Sequence, residues 1–364
     1  MKLRMRWCAV LLVAATSGSQ ISLRAQPGHE NDTKAPPVVS DWRIAFSLPT
    51  GARPDKMIFS PDGRFLFVLL GKQLQKWEIK TRRQLWIHRE PNDVSDFALD
   101  PTGTTLAFAT SPSVSLCAAS TGERIATLPV VAYAVAFSRD GKWLATAGDN
   151  GHLTGKLPTR VAVALWGNGD WKRCATMLAP LQNGFETLKE SFQATALDFS
   201  PDGRRIVVTT TTSILLEFDI AGKLIERPWG RPSNFIRFAP DGKTAIGRLE
   251  IVVTSESSNY TLSLYDPKNW TIRDSPHYPR NNSASTNGEI VGANAIAYTP
   301  DSQTIAAAFA DGFLGLFDTQ TGKLKTTLAR AQNKYWSTPL AFSPDSKQLA
   351  SGFWKQVDFW QKGP

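Results

Sequence analysis

Cysteine and histidine are scarce in this chain, with 3 and 4 copies among 364 residues. Cys8 lies in an N-terminal apolar run, so only Cys117 and Cys174 remain for a folded domain. Two cysteines cannot form the disulfide framework that staples small secreted domains. No two histidines have metal-ligand spacing, and neither an HExxH nor a GxSxG motif occurs. The corresponding metalloprotease and serine-hydrolase classes therefore find no support in the sequence.

Long apolar runs and blocks of basic residues are also missing from most of the chain. Beyond residue 25 no stretch is apolar and long enough to cross a bilayer. The net charge is +9, but the lysines and arginines are spread along the chain. A dispersed excess of this size is typical of a solvated basic surface. We expect no nucleic-acid partner and no membrane span in the mature chain.

The N-terminus has the features of an export signal. Lys2, Arg4 and Arg6 precede a short apolar run over residues 7–15, and Leu-Arg-Ala at 23–25 is typical of a cleavage site. An uncleaved anchor or a misassigned start codon is the alternative. We predict a signal peptide over 1–25, a flexible linker over 26–40 and an exported protein, periplasmic or extracellular. The linker prediction depends on the polar, Pro-rich sequence QPGHENDTKAPPVVS.

Seven copies of one short turn, typified by Phe-Ser-Pro-Asp-Gly, punctuate the rest of the chain. Four of the steps between copies are 38 to 44 residues, and the other two are 62 and 60. A period near 40 residues is typical of a β-propeller blade. The third residues of the seven turns are Pro61, Pro101, Arg139, Pro201, Pro240, Pro300 and Pro344. Asp62, Asp202 and Asp241 recur at the fourth position, which favours a turn-making role over catalysis.

A second mark lies 16 to 27 residues after each of six anchors, where an aromatic residue ends the third strand. Blade 2 has Cys117 and Ala118 at this point instead. The six aromatic residues are Trp77, Trp166, Phe218, Tyr265, Phe317 and Trp360. An acidic residue often follows the aromatic, and a Thr-Gly or Ala-Gly turn then leads to the fourth strand.

These marks resemble the WD-repeat family, most closely in SPDGRRIVV at 200–208 and FDTQTGKLKTTL at 317–328. The resemblance covers residues 41–364. It implies an all-β, seven-bladed propeller of four-stranded antiparallel blades, expected to be monomeric. The family's Gly-His pair between blades and an intact Trp-Asp dipeptide are absent. This puts the family's buried histidine network in doubt and leaves related propellers of bacterial envelopes as an alternative.

Ring closure follows from the last repeat, which ends at Trp360 with no sequence left for a fourth strand. The alternating segment WRIAFS at 42–47 precedes the first turn. We predict that it pairs with blade 7 and closes the ring, which removes the exposed edges of an open sheet.

The two long steps arise from four insertions over blades 3 to 6, at 148–160, 179–193, 248–259 and 275–292. In a WD-type blade these connections all lie on one face. Binding is commonly built in loops on a rigid scaffold, although a face of tight turns could simply resist insertions. Aromatic and basic residues expected on the insertion-bearing face are Trp229, Arg231, Tyr278, Arg280, Lys334, Tyr335, Trp336, Trp354 and Lys355.

The functional prediction is a non-enzymatic scaffold without cofactor or metal, which binds a protein partner on that face. The alternatives are an extracytoplasmic propeller enzyme, of a lactonase or a quinone- or metal-dependent dehydrogenase type, and a ligand-binding sensor. Cys117 and Cys174 are predicted on strands that are not neighbours. We therefore favour two buried thiols over a disulfide.

Overall fold

The computed structural model describes most of the chain from residue 41 onward. The described residues are 41–149, 161–178, 194–210, 215–225, 236–253, 258–274, 277–279, 293–309, 313–330 and 339–363. The predicted signal peptide and linker, residues 1–40, lie outside them.

Seven antiparallel sheets follow one another along the chain, and the strands of each sheet are ordered from the ring centre outwards. The N-terminal strand β1 (Trp42–Pro49) precedes them. Blade 1 contains β2 (Lys56–Phe59), β3 (Phe65–Leu70), β4 (Gln73–Glu78) and β5 (Arg83–Arg89). Blade 2 contains β6 (Val94–Leu99), β7 (Thr105–Thr110), β8 (Val114–Ala118) and β9 (Arg124–Leu128). Blade 3 contains β10 (Ala134–Phe137), β11 (Trp143–Asp149), β12 (Val161–Gly167) and β13 (Arg173–Leu178).

The second half of the ring repeats this plan with two variations. Blade 4 contains β14 (Ala194–Phe199), β15 (Arg205–Thr210) and β16 (Leu215–Asp219), and its fourth position is marked by an isolated bridge from Leu224 to Phe218. Blade 5 contains β17 (Ile236–Phe238), β18 (Ala245–Val253), β19 (Ser258–Tyr265), β20 (Ile272–Asp274) and β21 (His277–Pro279). Blade 6 contains β22 (Ala293–Tyr298), β23 (Thr304–Phe309), β24 (Phe313–Asp318) and β25 (Leu324–Arg330). Blade 7 contains β26 (Leu340–Phe342), β27 (Gln348–Phe353) and β28 (Gln356–Lys362).

The predicted closure of the ring is confirmed. Strand β1 pairs antiparallel with β28, from Trp42 opposite Lys362 to Pro49 opposite Gln356, and completes blade 7 as its outer strand. Phe46 of β1 stacks on Phe359 of β28 with ring centroids 4.4 Å apart. The last blade is therefore built from both ends of the propeller sequence.

Buried apolar clusters join neighbouring blades at six joints in the described part of the ring. One cluster joins blades 7 and 1 through Leu48, Leu66 and Phe359, and another joins blades 1 and 2 through Phe67, Phe97 and Phe108. Five of the aromatic residues predicted to mark the third strand lie in such layers, and Phe317 is buried as well. The six, each at most 8 % exposed, are Trp77, Trp166, Phe218, Tyr265, Phe317 and Trp360. Stability in this arrangement comes mainly from contacts between neighbouring blades.

The cysteine prediction is correct for one thiol and wrong for the other. Cys117 on β8 is fully buried, whereas Cys174 on β13 is exposed, and both are free. Cys174 is exposed because β13 is the outermost strand of its blade, with one side of the strand open to solvent.

Candidate functional site

The two faces of the ring differ in how the chain turns. On the face that we call the turn face, each first strand passes to the second through a Pro-Asp-Gly-type turn. On the opposite face, the loop face, lie the hairpins between second and third strands and the links between blades. The connections 150–160 and 179–193 join β11 to β12 and β13 to β14. Both therefore leave from the loop face, as predicted, although their own residues lie outside the described part.

The turn face is built from repeated hydrogen bonds. Ser60 Oγ donates to Asp62 at 2.5 Å, and the Arg64 amide donates to the same carboxylate at 3.0 Å. The corresponding amide bonds at Asp202 and Asp241 confirm all three aspartates as turn-makers. Hydrogen bonds of this kind, from Ser138 above all, hold the pKa of Asp140 below its usual value. A carboxylate whose pKa is lowered in this way is a poor candidate for a catalytic acid.

Neighbouring turns also pack directly on one another. A Cβ atom added to Gly103, which has φ +75°, would lie 2.9 Å from the Cδ atom of Pro61 in the preceding blade. This packing gives a physical reason for insertions to be absent from the turn face. Turn packing therefore explains where the insertions fall. A binding role for the loop face depends on its exposed residues.

The nine predicted binding residues fall into two groups. Those outside the described residues are Trp229, Arg231, Arg280, Lys334, Tyr335 and Trp336. The other three lie on the loop face: Tyr278 is part of β21, and Trp354 with Lys355 forms the tip of the β27–β28 hairpin.

Blade 5 has an elongated hairpin where the sequence analysis predicted a longer loop. Strands β18 and β19 stay paired from Ala245 opposite Tyr265 to Val253 opposite Ser258. β18 has 9 residues, whereas β3 of blade 1 has 6. Three further residues extend a strand by about 10 Å. β21 adds to this extension, with Tyr278 opposite Tyr260, so part of the predicted insertion is ordered sheet.

Trp354 has an unusual backbone for a bulky residue. Its φ is 49° and its exposed fraction is 61 %. Blade 1 has Gly71, with φ 60°, at the same position of the same two-residue hairpin, followed by Lys72 as Trp354 is followed by Lys355. Left-handed backbone costs a residue with a side chain about 1 kcal/mol relative to glycine. The loop face therefore presents a large aromatic at a position where the neighbouring blade has the residue best suited to the turn.

The hairpin tip of blade 7 is held rigidly. The amides of Thr50 and Gly51, in the link to blade 1, donate to the Lys355 carbonyl at 2.9 and 3.2 Å. Gln75 Nε2 donates in turn to the Thr50 carbonyl at 3.1 Å. This hairpin is anchored to the adjacent blade, which reduces the entropy lost when a partner binds.

The ring centre encloses a cavity of about 500 Å³, lined by the inner strands of all seven blades. Its wall is mostly apolar, but two pairs of opposite charge lie along it. Lys56 Nζ donates to Asp96 at 2.5 Å and to the Phe97 carbonyl at 2.8 Å. Burial lowers the pKa of Lys56, although Asp96 opposes this shift.

The second pair lies between blades 4 and 5. Burial raises the pKa of Asp198 against the opposing effect of Arg237, and the Phe238 amide donates to the Asp198 carboxylate at 3.0 Å. On the turn face, Arg139 stands where six other turns have proline and donates to the carbonyls of Pro240 and Ala239 in blade 5. None of these charged contacts was predicted from the sequence, because each of them joins two different blades.

A comparison with protein-family models matches residues 122–154 to the family described as WD domain, G-beta repeat. The matched segment includes β9, β10 and β11, and the same turn recurs in all seven blades, with the third-strand aromatic in six of them. The chain is a seven-bladed β-propeller with a match to the WD-repeat family in this segment. No curated protein matches it.

In this propeller, strand side chains accept hydrogen bonds from three buried indoles. Trp166 Nε1 donates to Thr146 Oγ1 at 3.1 Å, and Trp360 Nε1 donates to Ser351 Oγ at 2.9 Å. In blade 1, Trp77 Nε1 donates to Gln75 Oε1 at 2.9 Å. Strand side chains therefore supply acceptors within the blade. Over the described residues, no helix has the length and apolar character needed to cross a membrane.

Proposed function

We propose that this propeller is an exported, non-enzymatic scaffold that binds a protein partner on its loop face, with Trp354 at the centre of the contact. Trp354 carries the proposal because it is exposed and conformationally costly, while glycine occupies the matching turn of blade 1. Strained positions persist where another role outweighs their cost. Tryptophan is also among the residues that contribute most to protein interfaces.

Two further features support the loop face as the contact surface. The anchored hairpin of blade 7 and the extended hairpin of blade 5 both project from it. A rigid ring with a protruding sheet suits recognition of another protein, because little ordering is needed on binding.

Replacement of Trp354 by glycine separates a binding role from a structural one. We expect W354G to unfold at the same or higher temperature, with up to about 1 kcal/mol of added stability from relief of the left-handed strain. Partner capture by the tagged protein from its native extract should fall at least about tenfold, the loss expected for an interface anchor. Thermal unfolding followed by circular dichroism and quantitative pull-down would measure the two effects.

The matched control is K347A, which changes an exposed residue in the turn of the same blade on the opposite face. It should leave both stability and capture unchanged. Destabilisation of W354G with unchanged capture would assign Trp354 to the fold and overturn the proposal.

A ligand-binding sensor is the second candidate, and the central cavity favours it. A volume of about 500 Å³ with the Lys56–Asp96 pair at its wall can hold a small polar molecule. Native mass spectrometry of the purified protein would reveal such a ligand, and A136L, which fills the cavity from its wall, should remove it. A ligand that persists in A136L would place its site elsewhere.

A further inference from the structure

A buried carboxylate lies at the joint between blades 1 and 2. The side chain of Glu90, in the link after β5, is only 2 % exposed. Its Oε2 atom accepts hydrogen bonds from Arg124 at 2.7 Å and from Ser115 at 3.2 Å. Its Oε1 atom lies 2.8 Å from Nε2 of His88. One carboxylate oxygen is thus held by fixed donors, and the other faces the imidazole.

Cys117 completes this group from the neighbouring blade. Its Sγ atom lies 3.8 Å from Nε2 of His88, and the imidazole stacks on Phe108 with ring centroids 5.2 Å apart. Cys117 occupies the third-strand position that is aromatic in the other six blades. The His88 ring lies beside this smaller side chain. The three candidate ligand atoms, one nitrogen, one oxygen and one sulfur, all lie within 4.8 Å of one another.

We propose that His88, Glu90 and Cys117 form a Zn²⁺ site that joins blades 1 and 2. Zinc is borderline-soft and binds imidazole, carboxylate and thiolate in tetrahedral geometry. Bonds of about 2.0 Å to nitrogen and about 2.3 Å to sulfur place those two ligand atoms about 3.5 Å apart. The observed Nε2–Sγ distance is 3.8 Å. Nε2 and Oε1, now at hydrogen-bond distance, would separate by about 0.5 Å to admit the ion.

Arg124 and Ser115 have a defined part in such a site. Both bind Oε2 of Glu90, which leaves Oε1 as the metal-facing oxygen. Groups that orient a ligand in this way raise metal affinity. His88 retains 13 % exposure of its side chain, so the site borders solvent on one side. Because the ligands come from two blades, bound zinc would act as a clip that stabilises the joint.

The test uses the purified full chain, stripped of metal with a chelator and titrated with Zn²⁺ and, separately, with Co²⁺. We expect one ion per chain and a sulfur-to-cobalt charge-transfer band. The band should disappear in C117S and remain in C174S, which removes the exposed thiol. H88Q and E90Q should weaken Zn²⁺ binding by more than about tenfold, since even orienting groups contribute that much.

The contrary outcomes are equally specific. Absence of stoichiometric metal in the folded protein would overturn the proposal. So would a sulfur band that disappears in C174S and persists in C117S, or zinc affinity unchanged in both H88Q and E90Q. Circular dichroism establishes which variants fold, and E90Q, the smallest change in shape, serves as the test if C117S does not.

Discussion

Glu90 and Glu217 are both buried at joints between blades. Each contacts the nitrogen of an aromatic side chain, but that side chain is an imidazole in one case and an indole in the other. Glu217, at the joint of blades 4 and 5, binds Arg205 at 2.7 Å and accepts a hydrogen bond from Trp270 Nε1 at 2.9 Å. Glu90, at the joint of blades 1 and 2, binds Arg124 at 2.7 Å and lies 2.8 Å from His88 Nε2. Each carboxylate thus contacts one guanidinium and one ring nitrogen. These contacts offset the cost of burying its negative charge.

The difference lies in what the ring can do besides donate. An indole N–H has no lone pair to offer, so the contacts of Glu217 are those of a structural bond. An imidazole nitrogen can also bind a metal, and a thiol lies beside it at the Glu90 joint. One joint therefore has only a structural network, whereas the other has in addition the ligand types of a zinc site.

The largest effect is expected from E217A. Removal of this carboxylate leaves the Arg205 charge, 22 % exposed, and the Trp270 N–H without their shared partner. Loss of one member of a buried ion pair costs about 3–5 kcal/mol. Urea unfolding should show this loss, equally with and without Zn²⁺. E90A is the matched variant, and its deficit should be larger when Zn²⁺ is present. Equal zinc dependence of the two variants would erase the contrast between the joints.

A smaller loss is expected from W270F. The phenyl ring keeps the apolar packing on Phe238, now 5.8 Å between ring centroids, but removes the donor to Glu217. Loss of this hydrogen bond to a buried carboxylate costs about 1–3 kcal/mol. The measurement is the unfolding midpoint in urea, with W171F as a control because Trp171 is half-buried at the edge of another core layer. A change of zinc affinity in W270F would show that the two joints are not independent.

The fold was predictable because its signals are local. The Pro-Asp-Gly turns and the third-strand aromatic residues recur in step along the chain, and the hydrogen bonds of the turns and of Trp166 stay within one blade. The closing strand was predictable by counting, since blade 7 lacked a strand that residues 42–47 could provide. Blade 5 was harder, because an insertion that extends a hairpin and one that forms a loop have similar polar composition.

The candidate binding residues were predictable from the sequence only where they are adjacent in the chain. Trp354 and Lys355 are adjacent in the chain, so their hairpin could be named from the sequence. Glu90 and Cys117 are 27 residues apart and meet through packing of two blades, which no spacing rule encodes. One clue was available, since Cys117 replaces the aromatic of the other blades. Cys174 was predicted to be buried because strand assignment alone does not reveal which side of an outer strand faces solvent.

The smallest effect on stability is expected from R124Q. The Arg124 guanidinium is 42 % exposed, so solvent screens its pair with Glu90, and its loss should cost at most about 1 kcal/mol. R205Q should cost more, because Arg205 is less exposed and also donates to the Pro267 carbonyl at 2.8 Å. Zinc affinity should show the opposite order. R124Q frees Glu90 to rotate and should weaken Zn²⁺ about tenfold in a chelator competition, whereas R205Q should have no effect. Tighter Zn²⁺ binding by R124Q would mean that repulsion between Arg124 and the ion outweighs the orientation of Glu90. Arg124 would then have a structural role and no supporting role in metal binding.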